Sequence, residues 1–185
     1  AGLSIGITNL CANDGKIGVT WTFLVRKVLA QDNLADAIDC IVNAPLAGGH
    51  NYYLADATGQ CVNIEAMATQ HHLEWVKNGS YVHTNHCLIS HTRAVESLPD
   101  TYFETSTHAR YERANKLLGD DDITLDDLMA LTRDHGAEIG ICVHTGAANP
   151  HNVESGAAVI MSPASGELWA IWGNPCQGTY ERFMI

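Results

Sequence analysis

Asn78-Gly79-Ser80-Tyr81-Val82-His83-Thr84-Asn85-His86-Cys87 is the stretch on which the reading of this chain turns. Asn-Gly is a strong hairpin-turn signal, because the tightest hairpin turns need positive φ at their central positions. Leu73 to Val76 before it and Ser80 to Thr84 after it therefore read as paired strands. The second strand would deliver His83, Asn85 and His86 at its C-terminal end. An amide, two imidazoles, a hydroxyl and a thiol at a strand end make a candidate active site. The bland alternative is a polar loop whose histidines are satisfied by hydrogen bonds.

Working outward, Gly2 to Thr8 alternates Leu3, Ile5 and Ile7 with small or polar residues, the period of a strand with one buried face. Asn13-Asp14-Gly15 is a turn. Trp21, Leu24, Val25, Val28 and Leu29 form a helical stripe over 21–30. Asp32 or Asn33 caps a second helix with Leu34, Ile38, Ile41 and Val42 on one face, and Pro45 lies beyond its end. Asn51 to Ala57 and Cys61 to Met67 flank Thr58-Gly59 as a hairpin. Two helices are predicted over about 108–118 and 125–135, the latter with a capping box of Thr124 and Asp127. Strands are predicted at 139–144, 156–162 and 167–172, the last two joined at Ser165-Gly166. Strands, helices and strands in that order, joined mostly by hairpins, imply an α+β domain. No internal repeat or linker divides residues 1–185, which read as a single domain.

Hydrophobic residues make up 46% and charged residues 17% of the 185 positions, enough for a packed core. The net charge of -11, from 10 Lys and Arg against 21 Asp and Glu, would repel phosphate backbones. No nucleic-acid partner is expected, and no apolar run reaches membrane-spanning length. The six cysteines are spread evenly without a CxxC pair, and free thiols in a reducing compartment, the cytoplasm, are expected.

Asn85 is the candidate catalytic residue, since a side-chain amide is a neutral donor that neighbours can aim at a developing oxyanion. His83 and His86 would point to opposite faces of a strand, which disfavours joint metal ligation. His71, His72, His83, His86, Cys87 and His91 nevertheless leave a small metal-binding domain as a rival, without any CxxC or HExxH spacing to support it. Asp120-Asp121-Asp122 with Asp126-Asp127 reads as a solvated helix N-terminus. Trp21, Tyr52, Tyr53, Trp75, Trp169 and Trp172 read mainly as core, with Tyr52 or Tyr53 at the pocket edge. Cys11 and Cys87 read as packing residues. No cofactor and no metal are expected.

His83-Thr84-Asn85-His86 followed by Cys87-Leu88 resembles the HTNH motif of the acyl-coenzyme A:6-aminopenicillanic acid acyltransferase family, which are cysteine N-terminal-nucleophile (Ntn) hydrolases that include β-alanyl-amine hydrolases. Ala1 to Leu10 is similar to the family's opening AGL strand, Arg26 to Leu29 to its RxxL helix, and Asn51 to Glu65 to its NYxLAD hairpin. Arg110 and Arg113 before Leu117-Leu118, Ile141-Cys142, and Gly173-Asn174-Pro175-Cys176 with Tyr180 continue the likeness in order.

The resemblance implies an αββα sandwich of two antiparallel sheets between helix layers. It also implies an autoprocessed cysteine amidohydrolase or acyltransferase acting on a small N-acyl amide or acyl thioester. Asn85 would hold the oxyanion, with His83, Thr84, His86, Tyr52 and His144 around the substrate. The nucleophilic cysteine lies upstream of the opening strand in the family, so the chain is expected to be the C-terminal portion of the catalytic unit. On its own it would be inactive. Family members of the penicillin type carry an arginine where this chain has Val143, which puts their usual substrate in doubt, and His144 is a partial substitute or a plain loop residue. A non-catalytic binding protein on the same fold is the other alternative. Self-association is left open.

Overall fold

The computed structural model describes residues 2–185 apart from 78, 120, 121, 137, 147 and 148. Four strands, β1 (Leu3–Asn9), β2 (His50–Asp56), β3 (Cys61–Ala66) and β4 (His71–Val76), form one antiparallel sheet in chain order. Between β1 and β2 run α1 (Trp21–Val28) and α2 (Leu34–Val42). After β4 come the short α3 (Ser90–Arg93), the long α4 (Thr101–Leu118) and α5 (Leu125–Thr132). A second antiparallel sheet follows in the order β5 (Ala157–Ser162), β6 (Glu167–Trp172) and β7 (Glu181–Met184). Two antiparallel sheets with flanking helices make the αββα sandwich.

The first sheet has two unlike faces because its side chains alternate. Tyr52 and Leu54 of β2 with Val62, Ile64 and Ala66 of β3 pack against Leu24 and Val28 of α1 and Ala37, Ile38 and Ile41 of α2. Each Val, Leu or Ile among them contributes about 1.5–3 kcal/mol on burial. Asn33 starts α2 by accepting a hydrogen bond from the Asp36 amide at 2.9 Å.

The opposite face presents Asn51, Tyr53, Asn63 and Glu65, in register across β2 and β3. Asn51, Asn63 and Glu65 are nonetheless fully buried, so each needs partners. The Asn51 amide donates to Asn63 Oδ1 at 2.7 Å and the Asn63 amide to the Tyr81 hydroxyl at 3.2 Å. Tyr81 in turn donates to Glu74 Oε2 at 2.9 Å. Among the described residues Asn51 Oδ1 has no hydrogen-bond partner. Above this face Ala114 of α4, Leu128 and Leu131 of α5, and Val159 to Met161 of β5 enclose a cavity of about 780 Å3 with Tyr53 and Cys61.

Several expectations are corrected. Ser80 to Thr84 is not a strand: β4 pairs with β3 (Val76 with Cys61 through His71 with Ala66). Near the end of that segment the Thr84 carbonyl and Asn85 amide are met by side chains, His83 Nδ1 at 2.8 Å and Thr107 Oγ1 at 2.7 Å, instead of a ladder. Residues 139–144 form a loop, not a strand, drawn in by the Cys142 amide donating to the Asp134 carbonyl at 2.8 Å. The helix expected at 108 begins at Thr101, where Asp100 accepts from the Phe103 amide. Trp21, Trp75 and Trp172 are exposed, Trp172 at 82%, and are not core. Asn78 of the expected turn, Ala1 of the opening strand, and Asp120 and Asp121 of the acidic run lie outside the described residues.

Candidate active site and metal centre

Asn85 follows the buried pair His83 and Thr84 and is itself half-buried. Three contacts fix it. Its backbone amide donates to Thr107 of α4, its side-chain Nδ2 donates to the Asn9 carbonyl at the end of β1 at 3.1 Å, and its Oδ1 accepts from Arg110 of α4 at 2.9 Å. The guanidinium can only donate, so it settles which end of the Asn85 amide is oxygen. It also draws electron density towards Oδ1 and makes Nδ2 a stronger donor. Among the described residues no carboxylate pairs with Arg110. Burial lowers its pKa, and the nearby Tyr102 opposes that. One Nδ2 hydrogen is used on Asn9, and among the described residues the second has no acceptor. The space in front of it is a cavity of about 300 Å3 lined by Asn9, Asn85, Tyr102, Ser106, Arg110 and Asn149, with Val143 on its wall.

Behind Asn85 lies a buried ion-pair geometry. His83 Nε2 is 3.0 Å from Glu65 Oε1, and both side chains are fully enclosed. Glu65 Oε1 also accepts from the Leu88 amide at 2.6 Å, and Oε2 from the Thr92 hydroxyl. Burial pushes the Glu65 carboxyl up, but the hydrogen bonds from His83, Thr92 and Leu88 outweigh it and hold it below the ordinary range. Glu65 thereby clamps 83, 88 and 92 around the Asn85 turn.

The remaining expected site residues fall in different places. His83 and Thr84 line the large inter-sheet cavity. His86 is buried against α4, its ring centroid 3.9 Å from that of His108 and its Nδ1 3.0 Å from Thr107 Oγ1. Burial, then the neighbouring His108, lowers its pKa to about 4. Tyr52 is fully buried in the helix-side core, whereas Tyr53, one residue on, lines the large cavity. Cys87 is buried and its thiol pushed up by burial and then by Glu65 and Glu96.

His144 belongs to a group that the sequence analysis did not assemble. His135, Cys142, His144 and Cys176 place four ligand atoms within 4.8 Å of one another. His144 Nε2 lies 3.1 Å from His135 Nε2, 3.6 Å from Cys142 Sγ and 3.3 Å from Cys176 Sγ. Among the described residues no other group of three or more such donors converges. The rival metal site is therefore not in the 71–91 segment. There His72 and His91 meet edge to face, and His91 is directed to the His71 carbonyl. Cys142-Val143-His144 was a visible signal, but its partners lie seven residues before and thirty-two after.

Two antiparallel sheets with flanking helices match an αββα Ntn-hydrolase-like arrangement. Residues 1–177 match the family of acyl-coenzyme A:6-aminopenicillanic acid acyl-transferase, and the chain belongs to that family. No curated protein matches it. Among the described residues no helix is long and apolar enough to cross a membrane.

Proposed function

We propose that this chain forms the oxyanion-holding wall of an acyl-transfer site that hydrolyses or transfers the acyl group of a small N-acyl amide or acyl thioester. The observation that carries the reading is the Asn85 amide, polarised by Arg110 at 2.9 Å and facing a cavity with one Nδ2 hydrogen unpartnered among the described residues. As the carbonyl carbon is attacked, its oxygen gains charge, and a donor already fixed in place needs no reorganisation. The nucleophile in this reading is the N-terminal cysteine of an autoprocessed precursor, upstream of residue 1, with its own α-amino group as base. Among the described residues no cysteine lines the Asn85 cavity, and the thiols of Cys11 and Cys87 are both pushed up by burial, which supports a nucleophile from elsewhere. Val143 on the cavity wall supports a substrate without the carboxylate that an arginine there would bind. All six cysteines are free, which supports a reducing compartment, the cytoplasm. The test is Asn85→Ala in the protein expressed from its complete coding sequence. Turnover should fall about 10²–10³-fold with little change in KM; full turnover would remove Asn85 from the mechanism.

A second reading has the more direct geometric support: a metal-binding protein on this fold, carried by the convergence of His135, Cys142, His144 and Cys176. Metal retained by the purified protein tests it, and it is compatible with catalysis at Asn85 or with a purely binding role.

A further inference from the structure

The four-donor group sits beside the Asn85 cavity without being part of it, and its geometry is unusual for uncomplexed side chains. A ring nitrogen offers one hydrogen or one lone pair. His144 Nε2 nevertheless has three close neighbours, His135 Nε2 at 3.1 Å, Cys176 Sγ at 3.3 Å and Cys142 Sγ at 3.6 Å. One hydrogen bond can satisfy only one of them. A cation at the centre satisfies all four.

The separations also fit a particular ion. With zinc bonds of about 2.3 Å to sulfur and 2.0–2.1 Å to nitrogen, a tetrahedron places nitrogens about 3.3 Å apart and nitrogen and sulfur about 3.6 Å apart. The three distances from His144 Nε2 lie within a few tenths of an ångström of these, and all four ligand atoms lie within 4.8 Å of one another. Two thiolates and two imidazoles favour zinc over the hard cations magnesium and calcium. Four protein ligands leave no open position, the pattern of structural sites.

The backbone around the donors is tied down independently. Arg113 of α4 holds the Asp134 carboxylate with two hydrogen bonds, at 3.0 and 2.6 Å, and the Asp134 carbonyl accepts from the Cys142 amide. Asn149 donates to the His144 carbonyl at 3.0 Å, and Asn174 donates to the Val143 carbonyl at 3.0 Å. Gly140 lies so close to residue 135 that a Cβ there would sit 2.2 Å from the His135 carbonyl carbon. Only glycine lets these two segments meet. Such outer contacts are what orient ligands in metal sites.

We infer that His135, Cys142, His144 and Cys176 bind one zinc ion in a closed tetrahedral site that staples the segment after α5, the loop carrying Cys142 and His144, and the β6–β7 connection together. This deepens the metal-binding reading above. Because Val143, Asn149 and Val153 of the stapled loop line the Asn85 cavity, the zinc would set the shape of that cavity without touching substrate.

The experiment is metal analysis of the protein from its complete coding sequence, purified without chelator or polyhistidine tag, followed by replacement of the metal with cobalt(II). About one zinc per chain is expected, with the intense visible bands and thiolate charge-transfer absorption of tetrahedral cobalt. Cys176→Ser and the exposed His135→Gln should each lose zinc to a chelator that the wild type withstands, while Cys40→Ala should not. His135→Gln keeps the test valid if the cysteine variant fails to fold. Absence of bound metal, or a Cys142–Cys176 disulfide in its place, would overturn both the inference and the metal-binding reading. Metal that persists in a Cys142→Ala/Cys176→Ala double variant, or weak octahedral cobalt bands, would overturn the zinc staple and leave metal binding standing elsewhere.

Discussion

Replacing Glu65 should reveal how much of this fold depends on one enclosed carboxylate. Glu65→Ala removes the acceptor of three donors: His83 Nε2 at 3.0 Å, the Leu88 amide at 2.6 Å and the Thr92 hydroxyl. Thr92 can fall back on the Ile89 carbonyl, 3.0 Å away. Two buried donors are then orphaned, at about 1–3 kcal/mol each. The total is about 2–6 kcal/mol, a large part of the 5–15 kcal/mol that typically separates folded from unfolded. Glu65→Gln keeps an oxygen facing His83 and Leu88 and loses only the charge, about 1–2 kcal/mol. The two variants also differ from wild type in pH dependence. Because the folded Glu65 carboxyl lies below its ordinary value, its contribution is present above that ordinary value and disappears as pH falls through the depressed one. The gap between wild type and Glu65→Gln should therefore be constant near neutrality and close on acidification below about pH 4.3. Urea unfolding followed by tryptophan fluorescence at a series of pH values measures it. A Glu65→Ala cost under about 1 kcal/mol, or a gap to Glu65→Gln that does not change with pH, would refute the clamp.

Other expectations can be checked on the same preparations. Arg110→Met should lower kcat about 10-fold or more, because Arg110 positions and polarises Asn85 from the wall of the same cavity; an equal loss in Arg110→Lys would point instead to a packing role, since the shorter cation retains charge. His86, lowered to about 4 in the fold, should stay neutral in NMR titration between about pH 8 and 5. Since the unfolded chain takes up that proton first, His86 should cost stability as pH falls from about 6.5 towards 4, and His86→Asn should flatten the slope there. Gly140→Ala should destabilise by about 1–3 kcal/mol through overpacking against His135 and should weaken metal retention; unchanged melting would refute the close approach.

What the sequence disclosed was whatever is written in local period and caps. The alternation of Leu3, Ile5 and Ile7 and the stripe of Leu34, Ile38 and Ile41 located β1 and α2, and Thr124 with Asp127 marked the start of α5 through a capping box that forms. What it concealed depends on distant partners. Ser80 to Thr84 has strand-like residues, but the backbone at its end is taken up by the side chains of His83 and Thr107 and not by the outer edge of β4. Period two allowed either Tyr52 or Tyr53 to face the pocket, and only packing on α1 and α2 assigns Tyr52 to the core. Thr101 to Thr107 has weak helix formers that α4 recruits behind the Asp100 cap. Glu65 looks like a solvated strand residue until His83 is brought to it. The metal donors come from three separate segments, and no spacing rule joins them.

The line of hydrogen bonds running from Asn51 to Glu74 has a direction, and that direction is imposed from its outer end. A carboxylate can only accept, so Glu74 makes Tyr81 donate; the phenol oxygen then accepts from Asn63, whose own oxygen accepts from Asn51. The last acceptor in the sequence, Asn51 Oδ1, is unmatched among the described residues. The dipoles of two enclosed amides are thus oriented by a group near the solvent. Glu74→Lys, which can only donate, would reverse the demand at that end and turn both amides over, giving Asn51 a donor where it now has a bare oxygen.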